Sequence, residues 1–256
     1  MSTVIAVGVV SFLASFVNGI LGAGGAILFI PLALYGLPLL GVRLTAHPVT
    51  ALSLVQGICA FLAGGVQYAR RGQVDFRQLW LSGPPLGAGG LAGGILSAAA
   101  PAWLLVLLFA TVTTVAAALL LVPPPSTRPG GRGRQVGAAL VLAGIGGLGG
   151  AIGVGAGVLV IPVLLYVLGT PPRIANGTGL MLPAFISGPA FAGKALTGQM
   201  PWELVPAVAA MALAGAFLGS RVTVAIPARA LRLGLAALTG ALAVTVWAQL
   251  LVARGG

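Results

Sequence analysis

Gly19-Ile-Leu-Gly22-Ala-Gly24-Gly25-Ala-Ile-Leu-Phe-Ile-Pro31 and Gly150-Ala-Ile-Gly153-Val-Gly155-Ala-Gly157-Val-Leu-Val-Ile-Pro162 are two versions of one stretch. Each lies in a long apolar run and ends in proline. A glycine inside a helix costs about 1 kcal/mol against alanine, so a cluster of them marks a break and not a helix interior. In a bilayer, the N–H and C=O groups that a break releases must be buried in protein or face a wet cavity. Glycine-interrupted apolar segments at matching places in two halves of a chain are the sequence mark of a binding site in a membrane carrier.

The composition agrees with a bilayer as solvent. Of 256 residues 59% are hydrophobic and 6% charged, and the mean hydropathy is +1.12. Ordinary soluble domains carry about 25% charged residues. The apolar runs are helix-length and lack strand alternation, which argues for helices over a barrel. Thirteen Lys and Arg against two acids give a net charge of +11. Most of the basic residues sit between apolar runs, where the positive-inside rule accounts for them. No basic patch is interleaved with aromatics, so nucleic acid is not an expected partner. The single Cys59 provides neither a disulfide nor a metal framework. Residues 1–20 lack a basic leader and are expected to be a retained first helix.

Taken in order, the chain offers about eight apolar segments in two four-segment halves, the first of each half broken by glycines. The first covers 4–34 with a break at 18–25; the next three cover 44–68, 79–98 and 101–122. The basic Pro/Gly-rich stretch 123–134 reads as a linker between a first membrane repeat, 1–122, and a second, 135–256. In the second repeat the segments are 135–168, broken at 144–157, then 174–196, 202–222 and 228–253. Pro31 matches Pro162, and Tyr35 matches Tyr166. Gly72-Gln73 matches Gly198-Gln199, the pair Gly89 and Gly93 matches Gly215 and Gly219, and Pro101 matches Pro227. The small-xxx-small pairs read as close helix crossings. With eight simple spans the basic residues divide eight against five between the two faces; with both broken segments as hairpins they divide ten against three and the halves become inverted. The sharper asymmetry favours the hairpins.

With these motifs, Gly22-Ala-Gly24-Gly25 before Pro31, Gly153-Val-Gly155-Ala-Gly157 before Pro162, and Ala175-Asn-Gly-Thr178, the chain resembles the sulfite exporter TauE/SafE family of membrane transporters over its whole length. The resemblance implies a transporter of seven or eight spans for sulfur-containing or organic anions such as sulfite and sulfonates. One departure is visible: after the first break the chain reads His47-Pro48-Val49-Thr50-Ala51-Leu52, where a small-Thr-Ser-Leu pattern is the family's.

Read from the residues, a helix restarting after each break points free N–H groups and partial positive charge into the gap. Two such ends could hold a small oxyanion without an arginine. The candidate substrate-binding residues are therefore Gly22, Gly24, Gly25, His47, Thr50, Gly153, Gly155, Gly157, Asn176 and Thr178. The threonines and Asn176 could donate hydrogen bonds, though a hydroxyl can also bond back to its own helix and the amide can cap one. Asn18 lies just before the first break, as a cap or a site residue. His47 could supply charge or carry a proton. Lys194 shares a helical face with Ser187; it reads first as a cation snorkelling to the interface, with a pathway cation as the alternative. Asp75 and Glu203 flank polar turns, and no carboxylate lies mid-span. No catalytic set, cofactor motif or metal cluster is present, so an enzyme is not expected. The expected class is an all-α, multi-pass transporter of a cell membrane, a bacterial inner membrane being the natural setting. Its partners are a small anion and the lipid bilayer, with a passive anion channel as the alternative and a homo-oligomer left open.

If the glycines leave room for ligand or backbone, Gly24→Leu and Gly155→Leu will abolish anion flux while folded protein still reaches the membrane. Wild-type flux from a well-expressed leucine variant would remove the breaks from the site.

Overall fold

The computed structural model describes residues 3–21, 26–70, 72, 74–121, 132–154, 157–223, 237, 240–241 and 244–248. The described residues form helices and turns, with no strand. Ten helices follow in order: α1 (Thr3–Leu21), α2 (Ala26–Pro31), α3 (Ala46–Arg70), α4 (Phe76–Leu96), α5 (Ala102–Leu121), α6 (Arg132–Ile152), α7 (Gly157–Pro162), α8 (Pro172–Met181), α9 (Pro183–Leu196) and α10 (Val205–Thr223). The linker 123–131, the glycines Gly22, Gly24, Gly25 and Gly155, and most of the expected segment 228–253 lie outside the described residues. The longest helix, α3, has 25 residues, and α1 and α10 have 19 each. At 1.5 Å per residue that is about 28 to 38 Å, the scale of a bilayer's hydrocarbon core. Thr3–Ile20 in α1 and Gln135–Ile152 in α6 are each long and apolar enough to cross a membrane.

The breaks are narrower than the glycine clusters suggest. Helix α1 stays helical through Asn18 and Gly19 to Leu21, and α6 through Gly144–Gly150 to Ile152. Gly19, Gly146 and Gly150 serve helix crossings instead. A Cβ on Gly146 or Gly150 would strike the α4 carbonyls of Leu86 and Gly90, and one on Gly89 or Gly93 would strike α6 backbone. Gly215 and Gly219 of α10 meet the α1 backbone at Phe12 and Phe16 in the same manner. Small residues let the two backbones touch, which in lipid replaces the hydrophobic driving force by close packing. Past each break the chain repeats a local pattern. A six-residue helix ends in Pro31 or Pro162, and one π-helical turn follows, Leu32–Gly36 or Val163–Val167. Proline lacks the N–H and crowds the carbonyl four residues back, so the regular ladder gives way there. The expected segment 174–196 is two helices, α8 and α9, divided at Leu182–Pro183. Helix α4 continues through Pro84 and Pro85.

Contacts fix the direction of each helix. The start of α3, the end of α4 and the end of α9 meet, because Lys194 bonds both Thr50 and Ser97. At the opposite end, the loop after α3 meets α8, where the Asp75 N–H donates to the Thr178 hydroxyl at 3.0 Å. Helix α3 therefore runs against α8 and α9. The crossings make α6 parallel to α4 and α1 parallel to α10. A buried amide ties α1 to α3: Gln56 Nε2 donates to the Ser11 carbonyl at 3.1 Å and to Ser15 Oγ at 2.7 Å. Ser11 Oγ in turn donates to the Val208 carbonyl of α10 at 3.0 Å. Exposed Trp103 and Trp202 stand at the His47 end, and exposed Phe76 and Trp80 at the Asp75 end, the places of two interfacial aromatic belts.

Gly153, the last described turn residue before the second break, has φ of 78°, a left-handed conformation that glycine adopts without strain. Its carbonyl accepts from Ser53 Oγ at 2.7 Å, and a Cβ there would strike the Thr50 carbonyl and Ser53 Oγ. The second break is thus pressed onto the first turns of α3.

Two results follow from this packing. In a Cys59→Ala background, Arg77→Cys and Arg221→Cys will label with an impermeant thiol reagent from one side of the membrane and Arg43→Cys from the other. Labelling of Arg43→Cys and Arg77→Cys from one side contradicts the helix directions. Gly153→Ala will lower the thermal midpoint of purified protein, whereas Gly137→Ala, which meets open space in α6, will hold or raise it, the helix gaining up to about 1 kcal/mol of stability. Equal midpoints for the two variants would show that Gly153 is not pressed against α3.

Candidate functional site

The polar centre of the structure is Lys194. Its side chain is fully buried, 0% exposed, near the end of α9. The ammonium nitrogen reaches Ser97 Oγ at 2.8 Å, Gln199 Oε1 at 3.1 Å and Thr50 Oγ1 at 3.2 Å. Three N–H donors meet three neutral oxygens. The acceptors are held in place by bonds of their own. Thr50 Oγ1 donates to the His47 carbonyl at 3.0 Å, and Ser97 Oγ donates to the Gly94 carbonyl at 2.7 Å. Gln199 Nε2 donates to the Gly94 carbonyl at 3.0 Å and to Thr197 Oγ1 at 2.7 Å, which turns Oε1 toward the lysine. Because the hydroxyl protons are engaged elsewhere, the lone pairs facing Nζ can only accept. The arrangement matches a charged ammonium.

No carboxylate joins this group. Asp75 caps α4 at the far end, its Oδ1 accepting from the Gln78 N–H at 3.0 Å, and Glu203 is exposed. An isolated charge out of water is costly unless it is paired. Here the amine is hydrogen-bonded and faces no carboxylate; the last turns of α4 and α9 turn partial negative charge toward it, and the first turn of α3 turns a partial positive charge toward it. Beyond Thr50 a cavity of about 10 Å³, lined by Ile30, Leu34, Leu105 and Phe109 among others, has room for about one water.

The sequence-derived candidates separate on this geometry. Thr50, His47 and Gly153 come together at the start of α3. Thr50 is buried and touches the lysine, and Gly153 packs on the backbone of Thr50. His47 is half-buried; its Nε2 lies 3.0 Å from the Ala100 carbonyl, so that nitrogen carries the proton, and the ring ties α3 to the turn before α5. Thr178 is buried at the opposite end and accepts from the loop before α4, away from Thr50. Gly157 opens α7. Gly22, Gly24, Gly25 and Gly155, and the side chain of Asn176, fall outside the described residues. Lys194, read from sequence as snorkelling to the interface, is instead the most buried cation described. Its stem is wrapped by α3, α4 and α9, so the head cannot reach water. Ser97 and Gln199 were not singled out as site residues. Gln199 stood out in the sequence only as the repeat mate of Gln73, and Ser97 had no local signal.

Among the described residues no group of His, Cys, Asp or Glu could hold a metal ion. No curated protein and no solved structure matches the chain closely enough to extend the comparison. One family model does match: sulfite exporter TauE/SafE, over residues 7–246. With nearly the whole chain covered and a helical fold to match, the chain belongs to the sulfite exporter TauE/SafE family, whose members are membrane transporters of anions and not enzymes.

Proposed function

We propose that the protein is a carrier for small sulfur-containing or organic anions, of the sulfite and sulfonate class, which bind where the second glycine break meets the start of α3. One observation carries this reading: the buried Lys194 amine meets three neutral oxygens and no carboxylate. An oxyanion would supply a negative charge. All three donors of the ammonium are already in use, so the anion must displace one partner. Thr50, at 3.2 Å the most distant, is the one to yield, and its hydroxyl can then turn from the His47 carbonyl to donate to the same anion.

The helix directions support two inverted repeats, 1–122 and 135–256, with α1 equivalent to α6, α3 to α8 plus α9, and α4 to α10. Each equivalent pair runs in opposite directions. Such repeats let one half rock against the other around a fixed site. The closure of the lysine pocket favours a carrier over a passive anion channel, since a continuous pore would leave the ammonium wet. The basic end holding Arg77 and Arg221 is read as cytoplasmic in a cell membrane such as a bacterial inner membrane, which puts the lysine nearer the outer face.

Lys194→Met will keep folded yield, because removing a buried charge relieves its desolvation, while sulfite affinity falls by roughly 10- to 150-fold, the value of about 1.5–3 kcal/mol for a hydrogen bond to a charged group. Thr50→Val will give a smaller loss. The measurements are thermal shift against a panel of sulfite, sulfate, thiosulfate, sulfonates and carboxylates, then saturable flux and counterflow in proteoliposomes. Unchanged sulfite binding by Lys194→Met sinks the site; flux without saturation or counterflow favours the channel.

A further inference from the structure

We infer that Ser187, facing Gly57 across the seam between α3 and α9, is a second hydrogen-bonding station for the transported oxyanion, deeper in the membrane than Lys194; the inference rests on the anion site proposed above.

Ser187 is 0% exposed and its Oγ has no hydrogen-bond partner. A hydroxyl inside a helix usually escapes this state by bonding the carbonyl three or four residues back. This chain uses that solution repeatedly: Thr111 bonds Leu107, Thr113 bonds Phe109, Thr114 bonds Ala110, and Thr197 bonds Gly193. Ser187 does not. A buried hydroxyl left unpaired costs about 1–3 kcal/mol by mutational measures, so its place demands an explanation such as an intermittent partner.

The position supplies one. Ser187 and Lys194 are seven residues apart on α9, two helical turns on one face, about 10 Å along the axis. Thr50 and Gly57 have the same spacing on α3, which runs the other way. The two helices therefore pair as rungs: Thr50 with Lys194, and Gly57 with Ser187. At the second rung the facing residue has no side chain. A Cβ on Gly57 would lie 2.7 Å from Ser187 Oγ, so the hydroxyl fills the notch that glycine leaves, and an anion reaches it when the α3–α9 seam between the two halves opens. An anion leaving Lys194 along this seam next meets a neutral donor. That donor is strong enough to replace part of the anion's hydration and, without charge, too weak to trap it. Ser187 is thus a binding residue for passage and not for capture.

The test separates the two stations. Sulfite flux into proteoliposomes and sulfite thermal shift are measured for Ser187→Ala, Gly57→Ala and Lys194→Met. For Ser187→Ala the maximal flux is expected to fall roughly tenfold or more while the half-saturating concentration and the thermal shift stay near wild type. Gly57→Ala is expected to do the same by filling the approach. As a measurement independent of turnover, Ser187→Cys in a Cys59→Ala background is expected to react with a sulfonate-bearing methanethiosulfonate reagent, because the route carries such anions. If Ser187→Ala transports like wild type and Ser187→Cys stays unreactive, the second station is wrong and Ser187 is only an orphan hydroxyl. With Lys194→Met still losing affinity, the lysine site survives that result; if Lys194→Met also binds normally, both readings fall.

Discussion

An ammonium ion held out of water by three neutral oxygens sets the terms for the helices around it. Lys194 needs Thr50 from the start of α3, Ser97 from just past the end of α4, and Gln199 from just past the end of α9. These groups are brought to within 3.2 Å of one nitrogen from parts of the chain 97 and 144 residues away from it in two of the three cases. Losing any one leaves the buried amine short of a partner, and a buried polar group without one is costly. The helix ends are therefore placed by the lysine as much as the lysine is placed by them.

Glycine makes that convergence feasible. Where α4 crosses α6 and where α1 crosses α10, backbones touch through Gly89, Gly93, Gly146, Gly150, Gly215 and Gly219. Side chains at these places would push the helices apart and carry their ends away from the lysine. Gly153 does the same job at closer quarters, fitting the second break against Thr50 and Ser53. The glycines that stand out in the sequence thus have two roles. A few open the ladder; more of them draw helices together.

This division explains how much the sequence disclosed. Apolar runs of bilayer length and two glycine clusters were enough for an all-helical membrane protein with breaks near Pro31 and Pro162. The edges of the breaks were misjudged at 144–150, because a packing glycine and a breaking glycine look alike until the neighbouring helix is known. Thr50 and Gly153 were legible from the repeat, and the structure sets them side by side. Thr178 was legible by the same logic and lies elsewhere, because two positions equivalent in sequence can stand at opposite ends of helices that run oppositely. Lys194 was misread because local sequence places a lysine near the end of an apolar run, where snorkelling is the common outcome. Its enclosure depends on Ser97 and Gln199, and contacts over such separations leave no local pattern.

The unneutralised lysine also has an electrical meaning. If the anion binds beside a protonated Lys194 as proposed, a site that holds one positive charge when empty becomes neutral when it takes a monoanion, and carries one negative charge when it takes a dianion. The membrane potential does work on whichever form is charged, about 2.3 kcal/mol for each charge carried fully across 100 mV. For a monoanion the field acts on the return of the empty site and leaves the loaded step untouched; for a dianion it acts on both, and it helps or hinders both together, because a negative charge going one way and a positive charge coming back are the same current. The ionisation state of the cargo thereby decides which half of the cycle feels the voltage, and a single amine sets that rule.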